Sequence, residues 1–233
     1  MFGPLPATPV DFAFRLGPIP VHVSGWHWVG AIVIGWPRFQ QGQFNGQNLG
    51  LPMLAMFMLA VFVSILVHEL GHVLAYMACG ARGAIRLVFF GGLAIPDRGG
   101  FSTWRQVGIS IAGPAAQVPL AIAAWLALRT FGTDLAVAGT NAGTVTLTFL
   151  MDLIWINTLW PLLNLLPILP LDGGRISEAL FMRYTRNGTW WIDRVAVAVA
   201  VVCGVLAYRM GYTFGLLLLF MFVVPHIQRM QQG

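Results

Sequence analysis

The sequence predicts an all-α membrane protein, a bundle of about six transmembrane helices with a small membrane-associated β-hairpin or sheet. Three observations support this fold class. Hydrophobic residues make up 58% of the 233 residues and charged residues only 9%, against roughly 25% charged residues in soluble domains. The mean hydropathy is +0.76. Long apolar stretches recur along the chain, so we treat residues 1–233 as a single membrane-embedded domain.

Apolar stretches of near-spanning length give the positions of the predicted transmembrane helices. Each approaches the roughly 20 residues that are needed to cross the hydrocarbon core, although the first is short enough to be tilted or partly re-entrant. The third is expected to be broken internally by Gly113-Pro114 and Pro119, because proline removes a helical hydrogen bond. The predicted spans cover residues 23–36, 51–78, 106–128, 144–166, 190–208 and 212–227.

Three segments outside these spans differ from ordinary loops. Residues 12–23 alternate weakly between apolar and polar side chains and are predicted to run along the interface as a strand. Residues 84–96 read AIRLVFFGGLAIP, two apolar runs around Gly91-Gly92, which predicts a β-hairpin. Residues 167–182 are broken by proline and glycine and then continue as a short amphipathic helix. Irregular backbone at membrane depth must be satisfied by protein or by a water-filled cavity.

The basic residues are all arginine and predict how the chain is oriented in the bilayer. The formal net charge is +5, but the arginines are scattered and form no basic stripe, so no nucleic-acid partner is expected. Six spans put both termini on one side, and ten arginines fall on that side. Cytoplasmic segments carry the excess of basic residues, so both termini are predicted to be cytoplasmic. The arginines on the opposite side are Arg38, Arg129 and Arg209.

The second predicted span contains the pattern His68-Glu69-Leu70-Gly71-His72. Residues four apart share one face of a helix, so the two imidazoles can bind one Zn²⁺ while the glutamate faces the water on that metal. Zinc lowers the pKa of such a water toward about 7, and the glutamate accepts its proton as it attacks a carbonyl carbon. Ionisable groups are expensive in lipid, so the pattern predicts a hydrolytic metal site rather than a polar cluster that only helps helices associate.

A third protein ligand is needed to complete such a site. The extended pattern with a third histidine is absent, because the expected position holds Ala78. The next glutamate is Glu178, which is too distant for a thermolysin-type arrangement. The acids that remain on the predicted cytoplasmic side are Asp97, Asp172, Glu178 and Asp193.

Asp172 stands out among these acids. It follows Pro167 and Pro170 and precedes Gly173-Gly174, so it lies where the fourth span ends in broken backbone. The second and fourth spans both run inward in the predicted topology, which puts Asp172 and the two histidines at similar depth near the cytoplasmic face. The active site is therefore predicted to face the cytoplasm.

Other polar residues of the spans also have predicted roles. Asn164 lies on the approach to Asp172, where its amide can hydrogen-bond a substrate or a developing oxyanion, or can instead link two helices. Asp152 lies early in the fourth span, where a structural or interfacial role is expected. The histidines expected to be interfacial or core residues rather than ligands are His22, His27 and His226.

Taken together, these residues resemble the site-2 protease family of intramembrane zinc metalloproteases. The matching segments are HELGH at residues 68–72, NLLPILPLDGG at 164–174, FFGGLA at 89–94 and AGP at 112–114. The resemblance covers nearly the whole chain. Many family members also carry a PDZ or a CBS domain, and this chain resembles a minimal member without either, placed in a prokaryotic plasma membrane.

The resemblance implies a site, an activity and a set of partners. It implies one zinc ion per chain, held by His68, His72 and Asp172, with Glu69 as catalytic base and Asn164 near the substrate. Family members cut transmembrane segments of regulatory proteins, such as anti-sigma factors or membrane-bound transcription factors. They usually act after an upstream site-1-type protease has trimmed the substrate. The expected partners are therefore the lipid bilayer, transmembrane protein substrates and such a protease.

Two other classes of protein share parts of this pattern. A non-proteolytic membrane protein that binds or transports metal ions also places histidine and aspartate inside its spans. Metal binding alone does not require the glutamate between the histidines, whereas activation of water does. A CAAX-type prenyl-protein endopeptidase can share the HExxH pattern but typically uses a later glutamate ligand, and Asp172 argues against that class.

The predicted hairpin offers a way for a substrate to reach the metal. A peptide bond inside a helix has its carbonyl engaged, and a segment that unwinds in lipid leaves backbone groups unpaired. An unpaired strand edge at Gly91, Gly92 and Leu93 would replace those hydrogen bonds by strand addition. The alternative is a hairpin that only packs against the helices.

Overall fold

The computed structural model describes residues 7–43, 48–89, 91–211 and 213–232. These ranges contain seven helices and a four-stranded sheet, which confirms the predicted helical class with a small sheet. In chain order the elements are β1 (Phe12–Leu16), β2 (Ile19–Val23), α1 (Gly25–Gln43), α2 (Gly50–Ala78), β3 (Gly83–Val88), β4 (Gly91–Pro96), α3 (Thr103–Val137), α4 (Asn141–Asn164), α5 (Asp172–Tyr184), α6 (Gly188–Arg209) and α7 (Thr213–Gln232).

Four of the described helices, α2, α3, α4 and α6, are long and apolar enough to cross a membrane by length and composition. They overlap the second to fifth predicted spans, and α3 extends beyond its predicted span at both ends. Helices α1 and α7 overlap the first and sixth predicted spans, and their crossing of the bilayer stays a prediction. The predicted start of the first span at Val23 is wrong, because Val23 ends β2 and pairs with β3. Tyr212, the first residue of the sixth predicted span, lies outside the described residues.

Helix α3 is continuous over 35 residues, although a break was predicted inside it. Pro114 and Pro119 both lie within the helix, together with Gly113. A proline removes one backbone N–H, and in membrane proteins neighbouring helices and local adjustments compensate for the freed carbonyl. The predicted break is therefore wrong, because packing outweighs the local preference of these residues.

The sheet has the order β1-β2-β3-β4. Strands β1 and β2 form an antiparallel hairpin, β2 and β3 are parallel, and β3 and β4 form a second antiparallel hairpin. Residues 12–23 are therefore two strands rather than the single strand predicted, and they turn at Gly17, whose φ is +58°. Glycine adopts this left-handed conformation without the steric penalty of a side chain.

One face of the sheet is apolar and lies against the first two helices. Val21 and Val23 of β2 and Ile85 and Leu87 of β3 are buried, and they alternate with more exposed residues. Strands β3 and β4 both contact α2, and β3 also contacts α1. Burial of this apolar face holds the β3–β4 hairpin against the helix that carries the HELGH pattern.

The chain divides into two compact units, residues 1–99 with 112–161 and residues 100–111 with 162–233. In the first unit, α1 packs closely on α2, since a Cβ atom at Gly35 would lie 2.5 Å from the ring of Phe57. Small residues at helix contacts allow this approach in membrane proteins. The tight packing of α1 on α2 gives the HELGH helix a rigid support.

A buried ion pair also stabilises the first unit. Asp152 of α4 is buried, and the Nε and Nη2 atoms of Arg38 in α1 donate hydrogen bonds to its Oδ1 atom over 2.9 and 2.5 Å. An unpaired carboxylate at this position would be strongly destabilising, and the bidentate arginine compensates for its loss of hydration. This pairing agrees with the structural role expected for Asp152.

The second unit has its own apolar core. Ile168, Ala196 and Ala200 are buried together, and side chains of the segment before α5, of α6 and of α7 pack around them: Leu166, Leu171, Val199, Leu219, Phe222 and Val223. The segment between α4 and α5 is thus held by packing, although proline and glycine interrupt its secondary structure. Helix α5 starts at Asp172 and is the short amphipathic helix that was predicted after the break.

Candidate metal centre

The two histidines of the HELGH pattern point their rings at a common position. His68 and His72 lie one turn apart on α2 and are 3% and 7% exposed. Their Nε2 atoms are 3.1 Å apart. Two imidazole nitrogens that converge in this way within an apolar helix are suited to bind a single cation.

The other nitrogen of His68 is held by an amide of α3. Its Nδ1 atom lies 2.9 Å from Oε1 of Gln117, a residue that is 0% exposed. The amide oxygen can only accept, so His68 carries its proton on Nδ1 and donates it to Gln117. The lone pair on Nε2 then faces His72, which is the arrangement that a metal ligand requires.

The orientation of the Gln117 amide follows from its other partners. Its Nε2 atom donates to Oδ1 of Asn157 over 3.0 Å and to the Ser64 carbonyl oxygen over 3.3 Å. The Asn157 amide nitrogen in turn donates to Ser64 Oγ and to the Leu153 carbonyl oxygen. Each donor in this series of hydrogen bonds has an acceptor. Residues of α2, α3 and α4 therefore determine the direction of the hydrogen bonds and, with it, the tautomer of His68.

Two glycines lie directly against the HELGH side chains. A Cβ atom at Gly113 of α3 would lie 2.2 Å from Nε2 of His72, and one at Gly92 of β4 would lie 2.3 Å from Cγ of Glu69. Both distances are far below any real contact of a Cβ atom, so a side chain at either position would displace the His72 ring or the Glu69 carboxylate. The backbone of α3 therefore packs on one metal-binding candidate and the start of β4 packs on the buried glutamate.

The pairing of β3 with β4 corrects the predicted position of the hairpin turn. Val88 pairs with Gly91 in the sheet, so Gly91 and Gly92 begin β4 instead of forming the turn. Phe90 lies outside the described residues. Gly92 lies against Glu69, and Gly91 has a φ of +145°, a backbone conformation that other residues rarely adopt.

Asp172 is the first residue of α5 and is buried. The two glycines after it have no room for a side chain: a Cβ atom at Gly173 would lie 2.0 Å from the Leu165 carbonyl oxygen, and one at Gly174 would lie 2.5 Å from the Ile168 carbonyl carbon. The start of α5 therefore packs directly on the backbone of the segment before it.

His68, His72 and Asp172 are all buried, and together they are a candidate group for holding a metal ion. Two imidazole nitrogens and one carboxylate oxygen are a donor set that zinc takes in catalytic sites, with a further position open for water or substrate. The residues present therefore fit a zinc ion.

The other acids considered as ligands have different surroundings. Asp97 accepts a hydrogen bond from the Arg82 amide over 2.8 Å at the end of the β3–β4 hairpin. Glu178 is exposed on α5. Asp193 is buried but pairs with His226 and Arg229.

The remaining predicted site residues are placed as follows. Asn164 is the last residue of α4 and is partly buried, and its predicted contact with a substrate stays a prediction. Leu93 is 44% exposed on β4, which is an edge strand among the described strands. His27 is a core residue, as expected, with its Nδ1 atom 3.3 Å from the Val88 carbonyl oxygen.

Sequence reasoning did not single out Gln117, Asn157 and Ser64. One signal was available, because each is a polar residue inside an apolar span, where such residues are rare and usually interact with one another. The pattern does not show which residues are partners, and Asn157 and Asn164 are equally polar candidates on the same helix.

These features define a class: membrane-embedded helical proteins with an HExxH metal site on one helix and a further acidic ligand later in the chain. The sequence model of Peptidase family M50 matches residues 56–207. The chain belongs to this family.

Comparisons with individual proteins agree with the family assignment. A protein of Synechocystis named as a zinc metalloprotease is 35% identical over 130 residues, which are 55% of this chain and 32% of that protein. Rip3 of Mycobacterium tuberculosis, also named as a zinc metalloprotease, is 30% identical over 222 residues, covering 87% of this chain and 54% of Rip3. The chain thus spans between about a third and about half of the length of these relatives.

A solved structure shares the fold. The site-2 protease from Methanocaldococcus jannaschii superposes with a TM-score of 0.58 and 19% identity, and the match covers 94% of both chains. At this identity the likeness concerns the arrangement of helices and strands.

Proposed function

We propose that this chain is an intramembrane zinc metalloprotease that hydrolyses peptide bonds in or near transmembrane segments of substrate proteins. The observation that carries the proposal is the pair of Nε2 atoms of His68 and His72, 3.1 Å apart beside the buried Glu69 on a helix able to cross a membrane. His68, His72 and Asp172 are the proposed zinc ligands, one ion per chain, and membership of Peptidase family M50 supports the assignment.

In this proposal Glu69 is the catalytic base. A zinc ion supplies Lewis acidity that polarises the scissile carbonyl group and makes water a better nucleophile. Glu69 accepts a proton from the attacking water and returns it to the leaving amide nitrogen. The contact with Gly92 restricts where the Glu69 carboxylate can lie, which reduces the reorganisation needed for each transfer.

The edge of β4 is the proposed docking site for the substrate. Gly91, Gly92 and Leu93 begin this strand, and Gly92 lies against Glu69, so a peptide paired with the open edge would pass beside the base. Backbone pairing replaces the hydrogen bonds that an unwound segment loses in lipid. Asn164 is proposed to donate its amide to the substrate backbone or to the developing oxyanion.

The partners and the location are proposed on the same grounds. The substrates are transmembrane proteins, and an upstream site-1-type protease is proposed to trim them first. The chain is proposed to lie in a prokaryotic plasma membrane with both termini and the active site toward the cytoplasm, as the distribution of arginines indicates.

The proposal is tested with purified protein in liposomes that also contain a single-span substrate with a glycine near the middle of its helix. Glu69→Gln is expected to slow cleavage by about a hundredfold or more, because the general base is lost, while about one zinc ion per chain is retained. Asp172→Ala is expected to lose both zinc and cleavage, since two imidazoles hold zinc poorly.

Three outcomes contradict the proposal or part of it. Cleavage by zinc-replete Glu69→Gln at the wild-type rate removes the base from the mechanism. Full zinc occupancy in Asp172→Ala shows that another group is the third ligand. Wild-type protein that carries zinc across the liposome membrane and cleaves nothing supports the alternative of a metal-binding or metal-transporting protein.

A further inference from the structure

His226, near the end of the chain, hydrogen-bonds to the backbone just before Asp172. The His226 side chain is 0% exposed, and its Nε2 atom accepts a hydrogen bond from the backbone N–H of Leu169 over 3.1 Å. Its Nδ1 atom lies 2.7 Å from Oδ1 of Asp193 on α6. The ring therefore connects α6 and α7 to the segment that leads into α5.

The partners of the ring determine its tautomer. The Leu169 N–H is always a donor, so Nε2 of His226 must offer its lone pair. The proton is then on Nδ1, where it is donated to the Asp193 carboxylate. Arg229 Nη2 lies 2.9 Å from the same Nδ1 atom, but both are donors and cannot bond to each other. The Nδ1 proton is therefore donated to Asp193. Arg229 itself donates to Asp193 through Nε and Nη2, over 3.1 and 2.5 Å to Oδ1.

The segment that receives this hydrogen bond is also held by its own backbone, since the amides of Ile168 and Leu171 donate to the carbonyl oxygens of Leu166 and Ile168. Ile168 is packed in the apolar core with Ala196 and Ala200. The Leu169 amide next to it would be an unsatisfied donor without His226, which is costly away from water. Leu169 also precedes a cis peptide bond to Pro170. Asp172 lies three residues after Leu169, so the position of its backbone depends on how this segment is held.

We propose that His226, oriented by Asp193, is a positioning residue that sets the place of the Asp172 carboxylate for zinc binding by holding the Leu169 amide. The inference rests on the proposed function, because it takes Asp172 as a zinc ligand. Residues that orient a ligand from outside the metal site typically change metal affinity by about 10- to 100-fold when they are replaced. His226 does this through the backbone rather than through the ligand side chain.

The test measures zinc affinity by competition with a chelator and, independently, the visible absorption of the protein with Co²⁺ in place of zinc. His226→Phe keeps a ring but accepts no hydrogen bond, and it is expected to bind zinc about 10- to 100-fold more weakly and to alter the Co²⁺ spectrum. His226→Gln retains an acceptor of similar reach and is expected to restore both. Asp193→Asn is expected to give an intermediate loss, because the imidazole proton is held less firmly.

Asp152→Asn is the matched control, since it weakens another buried ion pair, that with Arg38, in the first unit. It is expected to lower the thermal stability of the zinc-free protein while leaving the zinc affinity unchanged. The inference is overturned when His226→Phe binds zinc as tightly as the wild-type protein. It is also overturned when His226→Gln loses as much affinity as His226→Phe, because the acceptor then plays no part.

A second comparison applies when His226→Phe cannot be purified. His226→Asn has an acceptor on a shorter side chain that does not reach the Leu169 amide, so it is expected to lose affinity while His226→Gln keeps it. Equal zinc affinity of the two amide variants overturns the inference. Failure of the proposed function is recognised separately. Unchanged zinc affinity in Asp172→Ala would show that Asp172 is not a zinc ligand, and the effect of Glu69→Gln on cleavage does not depend on His226.

Discussion

The tautomer of His68 depends on an amide that lies 49 positions later in the chain. Gln117 can accept from His68 only because its own nitrogen is committed to Asn157 and to the Ser64 carbonyl oxygen. One histidine of the metal centre is thus oriented by a hydrogen-bond chain that contains no further ionisable group. Such a chain keeps its orientation without a charge that lipid would destabilise.

Replacement of Gln117 is predicted to weaken zinc binding without unfolding the protein. Gln117→Leu leaves the Nδ1–H group of His68 buried without an acceptor, so zinc affinity is expected to fall about 10- to 100-fold, as for other groups that orient metal ligands. Chelator competition measures this change. Gln106→Leu is the control, because it makes the same substitution on α3 at a residue whose side chain donates to Ser110 rather than to a candidate metal ligand. Equal affinities of the two variants would contradict the role of Gln117.

Individual site residues differ in how far the sequence predicts them. His68, Glu69 and His72 follow from their spacing on one helix, because a helix brings residues four apart onto one face whatever the rest of the chain does. Gln117 and His226 do not follow, since each acts on a partner 49 or 57 positions away. A lone polar residue in an apolar run indicates that a partner exists but not which one it is.

Among the elements, β4 carries the edge at which substrate docking is proposed. It lies at the edge of the described sheet, and successive amides of a strand point to opposite sides. Of two consecutive residues such as Leu93 and Ala94, one therefore donates toward β3 and the other toward the open edge. Because of this alternation, a substitution at one of the two residues tests strand addition, and a substitution at the other tests the stability of the sheet.

Proline substitutions at these two positions are predicted to have different effects. One of the two variants, Leu93→Pro or Ala94→Pro, removes the donor that faces the open edge. That variant is expected to reduce cleavage while zinc content and thermal stability stay unchanged. The other proline is expected to destabilise the hairpin. Leu93→Ala, which keeps the backbone donor, is the control for loss of the side chain. Normal cleavage by both proline variants contradicts docking at this edge.

The elements also show which local rules hold in this chain. Apolar length alone located four helices of spanning character, and two apolar runs separated by a short break located the β3–β4 hairpin. The prolines of α3 were misleading, because tertiary contacts around the helix compensate for a missing N–H. The weak alternation over residues 12–23 does not reveal the first hairpin, because the chain turns at Gly17 within only two residues between β1 and β2.

At the scale of the whole molecule, orientation in the bilayer is the property most open to measurement. In a background without Cys79 and Cys203, which form no disulfide, single cysteines replace Asn187 and Ala138, two exposed residues next to α6 and between α3 and α4. Asn187→Cys is expected to react with an impermeant thiol reagent only from the cytoplasm, and Ala138→Cys only from outside, because arginines concentrate on the cytoplasmic side.

The reverse labelling pattern would show that the distribution of arginines misidentifies the cytoplasmic side. Labelling of both cysteines from one side would instead show that α4, the candidate span between them, does not cross the membrane. Asn187 is preferred to its neighbour Gly188, where a Cβ atom would lie 2.8 Å from the sulfur of Met182.

The open edge of β4 has a consequence for selectivity. Main-chain pairing is available to almost any extended peptide, so an enzyme that docks its substrate in this way discriminates weakly by the identity of side chains. Discrimination then shifts to the substrate's own conformational equilibrium, and the fraction of time a span is unwound limits how often it is cut. Glycine, asparagine or proline within a span raises that fraction. Such a protease would respond to the local instability of a transmembrane helix rather than to a consensus sequence.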